Sequence, residues 1–112
     1  MIFSTTETVP GHDIIAILGV VTGNVVQSKH IGRDIMASLK GIVGGELKGY
    51  TEMFNEARSQ AMARLEADAL DLGADAVVGI RFTTSAIMDG SCELLAFGTA
   101  VTLLPSQQLL QQ

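Results

Sequence analysis

The stretch AVVGIRFTTSAIMDGSCELLAFGTAVTLL, residues 76–104, decides the fold of this chain. Asp89-Gly90 separates two runs rich in β-branched and apolar residues, and Asp-Gly in that setting is the strongest short-range signal for a β-hairpin. Pro105 follows the second run and ends it, because proline cannot donate a hydrogen bond to a sheet. The sequence therefore predicts two antiparallel strands, Ala76 to Ile87 and Cys92 to Leu104, joined by a tight turn.

A two-residue loop fixes which residues of the two strands face each other. The opposed pairs are then Val78 with Val101, Ile80 with Thr99, Phe82 with Phe97, and Thr84 with Leu95. This register places the large apolar side chains on one face, which we expect to pack on a helix. Small residues dominate the other face, where Arg81 lies opposite Gly98, while Glu93 points away from it. We expect a second sheet or a neighbouring subunit to approach this small-residue face, so that Gly98→Leu disrupts assembly.

Residues from about Glu46 to Leu72 form the clearest helical pattern. The apolar or small residues that share one face are Tyr50, Met53, Phe54, Ala57, Ala61, Leu65, Ala69 and Leu72. Gly73 stands just past the last periodic residue, where a helix C-cap is expected. Arg64 and Asp68 have the spacing of an ion pair on the flank of the helix.

A second apolar run, Ile14 to Val21, predicts a strand because it is too short and too β-branched for a helix. The run is apolar on both faces, and one helix can cover only one of them. Ile2 to Thr5 is typical of a short edge strand, and Ile31 to Leu39 has the spacing of a short helix. Together these elements predict an α+β fold: a two-layer α/β subunit whose mostly antiparallel sheet packs on one long helix plus a short helix.

The composition favours a single domain that self-associates. Of the 112 residues, 47% are apolar and 17% are charged, against a usual charged share of about 25%. Such a chain has more apolar surface than one small monomer can hide. The net charge of −5 comes without a basic stripe, so nucleic acid is not the expected partner. No apolar run approaches the ~20 residues that span a bilayer, and we expect a cytoplasmic protein with no membrane partner.

Seven short motifs are distinctive in combination. They are FSTT (3–6), LGVVTG (18–23), RD (33–34), IVGG (42–45), AR (57–58), LGADAVVGI (72–80) and GTAV (98–101). With them the chain resembles the YbjQ family of small, uncharacterised proteins over a domain of residues 1–104. The resemblance implies a two-layer subunit that assembles into a ring-shaped pentamer, and it carries the label "putative heavy-metal-binding" without an established reaction. Residues 105–112 form a polar C-terminal tail outside the resemblance, which we expect to be mobile.

The candidate ligand-binding residues are Arg33, Asp34, Gly44, Gly45, Glu46, Tyr50, Arg58 and Arg81. Gly44-Gly45 precedes a helix, whose N-terminal N–H groups can bind an anion. A tight turn is the simpler interpretation, and Glu46 stands where some family members have a basic residue. Arg33-Asp34 and Arg58 fit either a ligand clamp or, preferably, a salt bridge between subunits. Arg81 is the stronger ligand candidate because it crosses a small-residue surface.

For a metal ion the sequence offers His12, His30 and Cys92, no two of which have a recognised ligand spacing. We interpret them as two turn histidines and a small strand residue, although a site could form between subunits. Tyr50 is interpreted as a core residue whose hydroxyl reaches a partner. No nucleophile motif and no convincing carboxylate pair indicates catalysis.

The sequence therefore favours a non-enzymatic, homo-oligomeric binding protein, with a small ligand or metal ion at subunit junctions or in a central channel. It leaves the cofactor and the ligand open. Two alternatives also stay open: a structural or partner-binding assembly without a small ligand, and an enzyme whose site is built between chains.

Overall fold

The computed structural model describes residues 1–27, 48–88 and 91–107 of the chain. These residues form β1 (Ile2–Phe3), β2 (His12–Gln27), α1 (Lys48–Asp71), β3 (Ala76–Met88) and β4 (Ser91–Pro105). The strands make one mixed sheet in the order β1-β3-β4-β2, antiparallel except for the parallel pair β1 and β3. The predicted α+β fold is confirmed, while the predicted short helix at 31–39 lies outside the described residues.

One face of α1 packs on the sheet, chiefly over β2 and β4. Its buried residues recur every four positions, at Ala57, Ala61, Leu65 and Ala69. They pack with Val21, Val25, Val77, Ile80, Leu94, Ala96 and Ala100 of the sheet. Three of the four helix residues are alanines, so the helix lies close to the strands. Burying a residue such as Leu65, which has no exposed surface, stabilises the fold by roughly 1.5–3 kcal/mol.

The end of α1 has the geometry of a Schellman motif. Gly73 has φ +76°, and its N–H donates to the carbonyl of Leu70 over 3.0 Å, while Ala74 N–H donates to Ala69 over 3.1 Å. Glycine adopts this left-handed conformation without the steric cost that a Cβ imposes. The predicted C-cap is confirmed, and it returns the chain to the sheet within a few residues.

The helix and the sheet approach each other closely at Gly23 in β2. A Cβ added there would lie 2.0 Å from the carbonyl oxygen of Ala61 and 2.5 Å from the backbone nitrogen of Leu65. Both are backbone atoms of α1, which cannot move aside as a flexible side chain can. Only glycine therefore lets the helix sit at this distance from the strand.

The hairpin confirms the predicted turn but not the predicted register. Met88 lies opposite Ser91, as a two-residue loop requires. Two irregularities then follow in β3, one between Ala86 and Met88 and one between Val78 and Arg81. Each places an extra residue in β3, so Val78 pairs with Thr99, two positions from the expected partner.

The assignment of the hairpin's faces is also reversed, because the small residues of β4 let α1 lie close to the sheet. The small residues Ala96, Gly98 and Ala100 belong to the buried side of the sheet that α1 covers, whereas Val78 and Val101 belong to the other side. A Cβ added to Gly98 would lie 2.8 Å from Cγ1 of Val77 in the same chain. The prediction that the small-residue face receives a neighbouring subunit is therefore wrong, because the chain's own helix and strand occupy it.

We call the side of the sheet away from α1 the open face. The N-terminal segment, residues 4–11 between β1 and β2, covers part of the open face. There Val9 packs with Ala76, Val78 and Val101. Three side chains of β2 on this face remain exposed, and we call them the apolar strip: Ile17 (73% exposed), Val20 (72%) and Val26 (55%). The prediction that β2 is apolar on both faces, with one face left uncovered by the helix, is confirmed.

Candidate functional site

Among the depressions that the described residues line, two adjoin surfaces that the chain leaves uncovered. The first, the helix groove, has a volume of about 540 Å³ and lies beside α1. Its lining consists of Phe3, Asn55, Arg58, Ser59, Met62, Ala63 and Glu66. The second, the open-face pocket, has a volume of about 350 Å³. Its lining consists of Glu7, Ile14, Ile17, Val78, Gly79, Thr99 and Val101.

The helix groove exists because α1 covers β2 and β4 while β1 and β3 extend beyond it. Phe3 is paired with Val77 and therefore points to the helix side, where it stays 37% exposed. Phe82 is paired with Ala96 on the same side and is 42% exposed. The groove is thus an unfilled gap in the helix layer, lined by apolar side chains and two charges.

Arg58, a predicted ligand candidate, lies in the helix groove. Its guanidinium donates a hydrogen bond to the side-chain carbonyl of Asn55, one turn earlier in α1. This contact holds the guanidinium at the surface of the helix. Arg58 is exposed and so available to a partner that enters the groove.

Arg81, the other described arginine candidate, lies on the open face because it pairs with Phe97 and not with Gly98. Its Nη1 donates to the carbonyl oxygens of Thr5, at 2.9 Å, and of Ile80, at 2.8 Å. The residue thus fastens the N-terminal segment to β3. Glu93 lies on the same face, contrary to expectation, and its Oε2 accepts from Asn24 Nδ2 at 3.2 Å.

Arg58 and Arg81 lie on opposite sides of the sheet, so one chain does not bring them into a single ligand clamp. The other candidates, Arg33, Asp34, Gly44, Gly45, Glu46 and His30, lie outside the described residues. Tyr50 belongs to α1, and its side chain also lies outside the description. The structure therefore leaves the predicted site around Gly44-Gly45 as a prediction.

The edge of β2 is closed by two side chains whose role the sequence did not indicate. Arg64 donates to the carbonyl oxygen of Asn24, and the backbone N–H of Thr22 donates to Oδ2 of Asp68 over 3.1 Å. The spacing of Arg64 and Asp68 predicted an ion pair between them. The structure instead shows both side chains satisfying backbone groups of an edge strand.

The two described metal candidates lie at opposite ends of the sheet. His12 is opposite Pro105 and Cys92 is opposite Gln27, so 13 residues of β4 separate them, or roughly 43 Å. His12 Nδ1 donates to the carbonyl of Pro10 over 3.1 Å, as expected of a turn histidine. Cys92 is a half-buried strand residue, and within the described ranges no three His, Cys, Asp or Glu residues cluster as a metal site.

In the described part of the chain no helix combines the length and hydrophobicity that crossing a bilayer requires. This observation concerns α1, whose surface carries many charged side chains.

Comparisons with known proteins agree on the family. Residues 1–104 match the YbjQ family, described as "Putative heavy-metal-binding". A UPF0145 protein of Shewanella frigidimarina is 73% identical over 107 residues, which are 96% of this chain and all of the relative. A UPF0145 protein of Thermotoga maritima is 59% identical over 103 residues, covering 92% of this chain and 97% of the relative.

One solved structure shares the fold. It is a crystal structure of a protein of unknown function from Pediococcus pentosaceus, assigned to the DUF74 family. The TM-score is 0.59 at 19% identity, with 93% of this chain and 98% of that chain covered. The resemblance to the YbjQ family is thus confirmed over the whole predicted domain, and the chain belongs to this family of uncharacterised UPF0145 proteins.

Proposed function

We propose that this protein is a non-enzymatic, homo-oligomeric binding protein, and that its assembly is a ring, with a pentamer as the expected size. Its subunit junctions hold a small ligand or a metal ion. The observation that carries the proposal is the apolar strip of β2, which a water-soluble monomer would leave exposed.

The energetics of the apolar strip support self-association. Ile17 and Val20 keep more than 70% of their surface exposed, and covering a side chain of this size contributes roughly 1.5–3 kcal/mol. The shape of the chain supports the same conclusion. Its radius of gyration is 18.3 Å, whereas a compact domain of this length has about 13 Å, so the fold is too flat to bury its own apolar surface.

The position of the open-face pocket supports a binding role at a junction. The pocket lies beside Ile17 and has Glu7 as its charged lining residue. A neighbour that covers the apolar strip closes this pocket as well. Because His12 and Cys92 are roughly 43 Å apart along β4, a metal site that uses both residues requires two chains.

Native mass spectrometry tests the proposal directly. The protein is purified without metal affinity resin and measured from cell extract and again after exhaustive dialysis, with and without added divalent ions. The proposal expects one ring species whose mass exceeds a whole number of chains by a stoichiometric adduct. Zinc added to the dialysed ring distinguishes a metal ion from an organic ligand.

Two results would contradict the proposal. A ring that carries no adduct in any condition indicates an assembly that serves a structural or partner-binding role without a small ligand. A monomer at micromolar concentration would remove the subunit junctions on which the binding site depends.

A further inference from the structure

We infer that the apolar strip of one copy docks in the helix groove of the next copy, so that the chains contact each other head to tail. This inference rests on the proposed homo-oligomer and assigns the two surfaces that meet in it.

The apolar strip lies at one edge of the sheet. β2 is an edge strand, and the strip consists of its open-face side chains Ile17, Val20 and Val26. Ile15, displaced by an irregularity between Ile14 and Ala16, adds a fourth exposed apolar side chain (57%) at this edge. The chain's N-terminal segment packs around Val9 and does not bury these residues.

The helix groove lies at the other edge of the sheet, beside β1, and opens on the side of α1. Phe3 and Met62 give it an apolar lining. Phe82 extends the exposed apolar surface along β3, because α1 packs chiefly over β2 and β4. A volume of about 540 Å³ admits several aliphatic side chains of a partner.

The placement of the two surfaces determines the kind of contact. The order β1-β3-β4-β2 puts three strand spacings between them, or about 14 Å, and they face opposite sides of the sheet. A chain therefore cannot fill its own groove with its own strip, and one partner cannot engage both surfaces at once. Each copy needs two neighbours, which is the property of a heterologous interface that closes into a ring.

The charged side chains near the two surfaces and the backbone at the edge of β2 are also consistent with this docking. Glu7 lines the open-face pocket together with Ile17, while Arg58 stands in the helix groove, so the contact brings opposite charges together. Glu66 also lines the groove but lies eight residues further along α1, or about 12 Å from Arg58. Arg64 and Asp68 already occupy backbone groups of β2 at Asn24 and Thr22, so the partner engages side chains there and not the strand edge.

Cysteine cross-linking tests the inference. Val20→Cys reports on the apolar strip and Ser59→Cys on the helix groove, both in a full-length Cys92→Ser background. Both positions are exposed, and both changes alter the side-chain volume only slightly, so the fold should be preserved. A short bis-maleimide is added to the Val20→Cys/Ser59→Cys double variant and to each single variant as a matched control.

We expect the double variant to give a ladder of covalently linked chains up to the size of the ring, and the single variants to give no linked dimers. Linked dimers of Val20→Cys alone would overturn the inference, since they place strip against strip. An intact oligomer that forms no ladder would overturn it too, while leaving the proposed homo-oligomer standing. A monomer by native mass would instead contradict the proposed function itself.

Discussion

The two sides of β2 differ in how completely the rest of the chain covers them. On the helix side, Val21, Gly23 and Val25 are buried, and Gly23 touches the backbone of α1. On the open side, Ile17 and Val20 are more exposed than any other large apolar residue in the described chain. Alternate residues of one strand thus differ in role: one set stabilises the subunit, and the other is the set that we propose contacts a partner.

Apolar character alone therefore does not identify the core of this protein. Both sides of β2 have a hydrophobic pattern in the sequence. Their burial differs only because α1 packs on one side and not on the other. Substitutions on the helix side should therefore change the free energy of unfolding, whereas those on the open side should change association.

Gly23→Ala should be the most destabilising change. Its Cβ would lie 2.0 Å from Ala61 O, so the helix must shift and the packing around Leu65 is lost. We expect a loss of at least about 3 kcal/mol in the free energy of unfolding, at the upper end of overpacking effects. Urea denaturation measures it, with Thr22→Ala on the exposed side of β2 as the control. Equal stability of the two variants would contradict the close helix–strand contact.

Gly98→Leu should destabilise the subunit itself and not merely dissociate an assembly. The added side chain meets Val77 Cγ1 and the carbonyl oxygen of Val78, which lies 3.0 Å from the position of a Cβ. We expect a loss of about 2–3 kcal/mol, seen as a lower thermal midpoint at every protein concentration. A variant that is fully folded but monomeric would restore the first interpretation, in which this face contacts a neighbour.

Ile17→Ser should leave the stability of the subunit almost unchanged and weaken its association. The side chain is 73% exposed, so the unfolding free energy of the isolated subunit should change by less than about 0.5 kcal/mol. Loss of its burial in the assembly, roughly 1.5–3 kcal/mol, should weaken association at each junction by about tenfold to more than a hundredfold. Analytical ultracentrifugation across a dilution series measures this, and an unchanged sedimentation profile would remove the apolar strip from the interface.

Asp68→Ala should have the smallest effect. It removes the acceptor for the N–H of Thr22, and a hydrogen bond at such an exposed site contributes about 1 kcal/mol. Amide hydrogen exchange should accelerate at Thr22. The amides of Val21 and Gly23, which lie on the side of the strand backbone that pairs with β4, should keep their protection. The nearby Asp71→Ala variant is the matched control. Uniform loss of protection along β2 would show that Asp68 stabilises more than the strand edge.

Much of the architecture could be predicted because its signals are local. Asp89-Gly90 identified the hairpin turn, and Gly73 identified the end of α1. Small or apolar residues that recur every four positions identified the buried face of the helix. Each follows from backbone conformations or periodicities that neighbouring residues determine by themselves. The register failed because two bulges in β3 change it, although Gly79, with φ +63°, was a usable signal, since an isolated glycine in a strand often marks a bulge.

The candidate site was less predictable, because its residues come together only across the sheet. Sequence reasoning selected Arg58 and Arg81, and the structure places them on opposite sides. It did not identify the helix groove, since Phe3 and Met62 carry no motif that relates them. The spacing of Arg64 and Asp68 predicted an ion pair, but their partners in β2 are 40 and 46 residues away and could not be inferred from it.

The sequence by itself determined the secondary structures, the turn and the surplus of apolar surface, because these depend on composition and on neighbours within a few positions. The tertiary structure alone decided which faces are buried. A shift of one residue in a strand moves every side chain to the other side of a sheet. The bulge between Val78 and Arg81 makes such a shift, and the N–H groups of Gly79 and Ile80 hold it by donating to the carbonyl oxygens of Thr6 and Ser4, which are distant in the chain. Which face is buried depends on where α1 packs, and that contact is also distant in the chain.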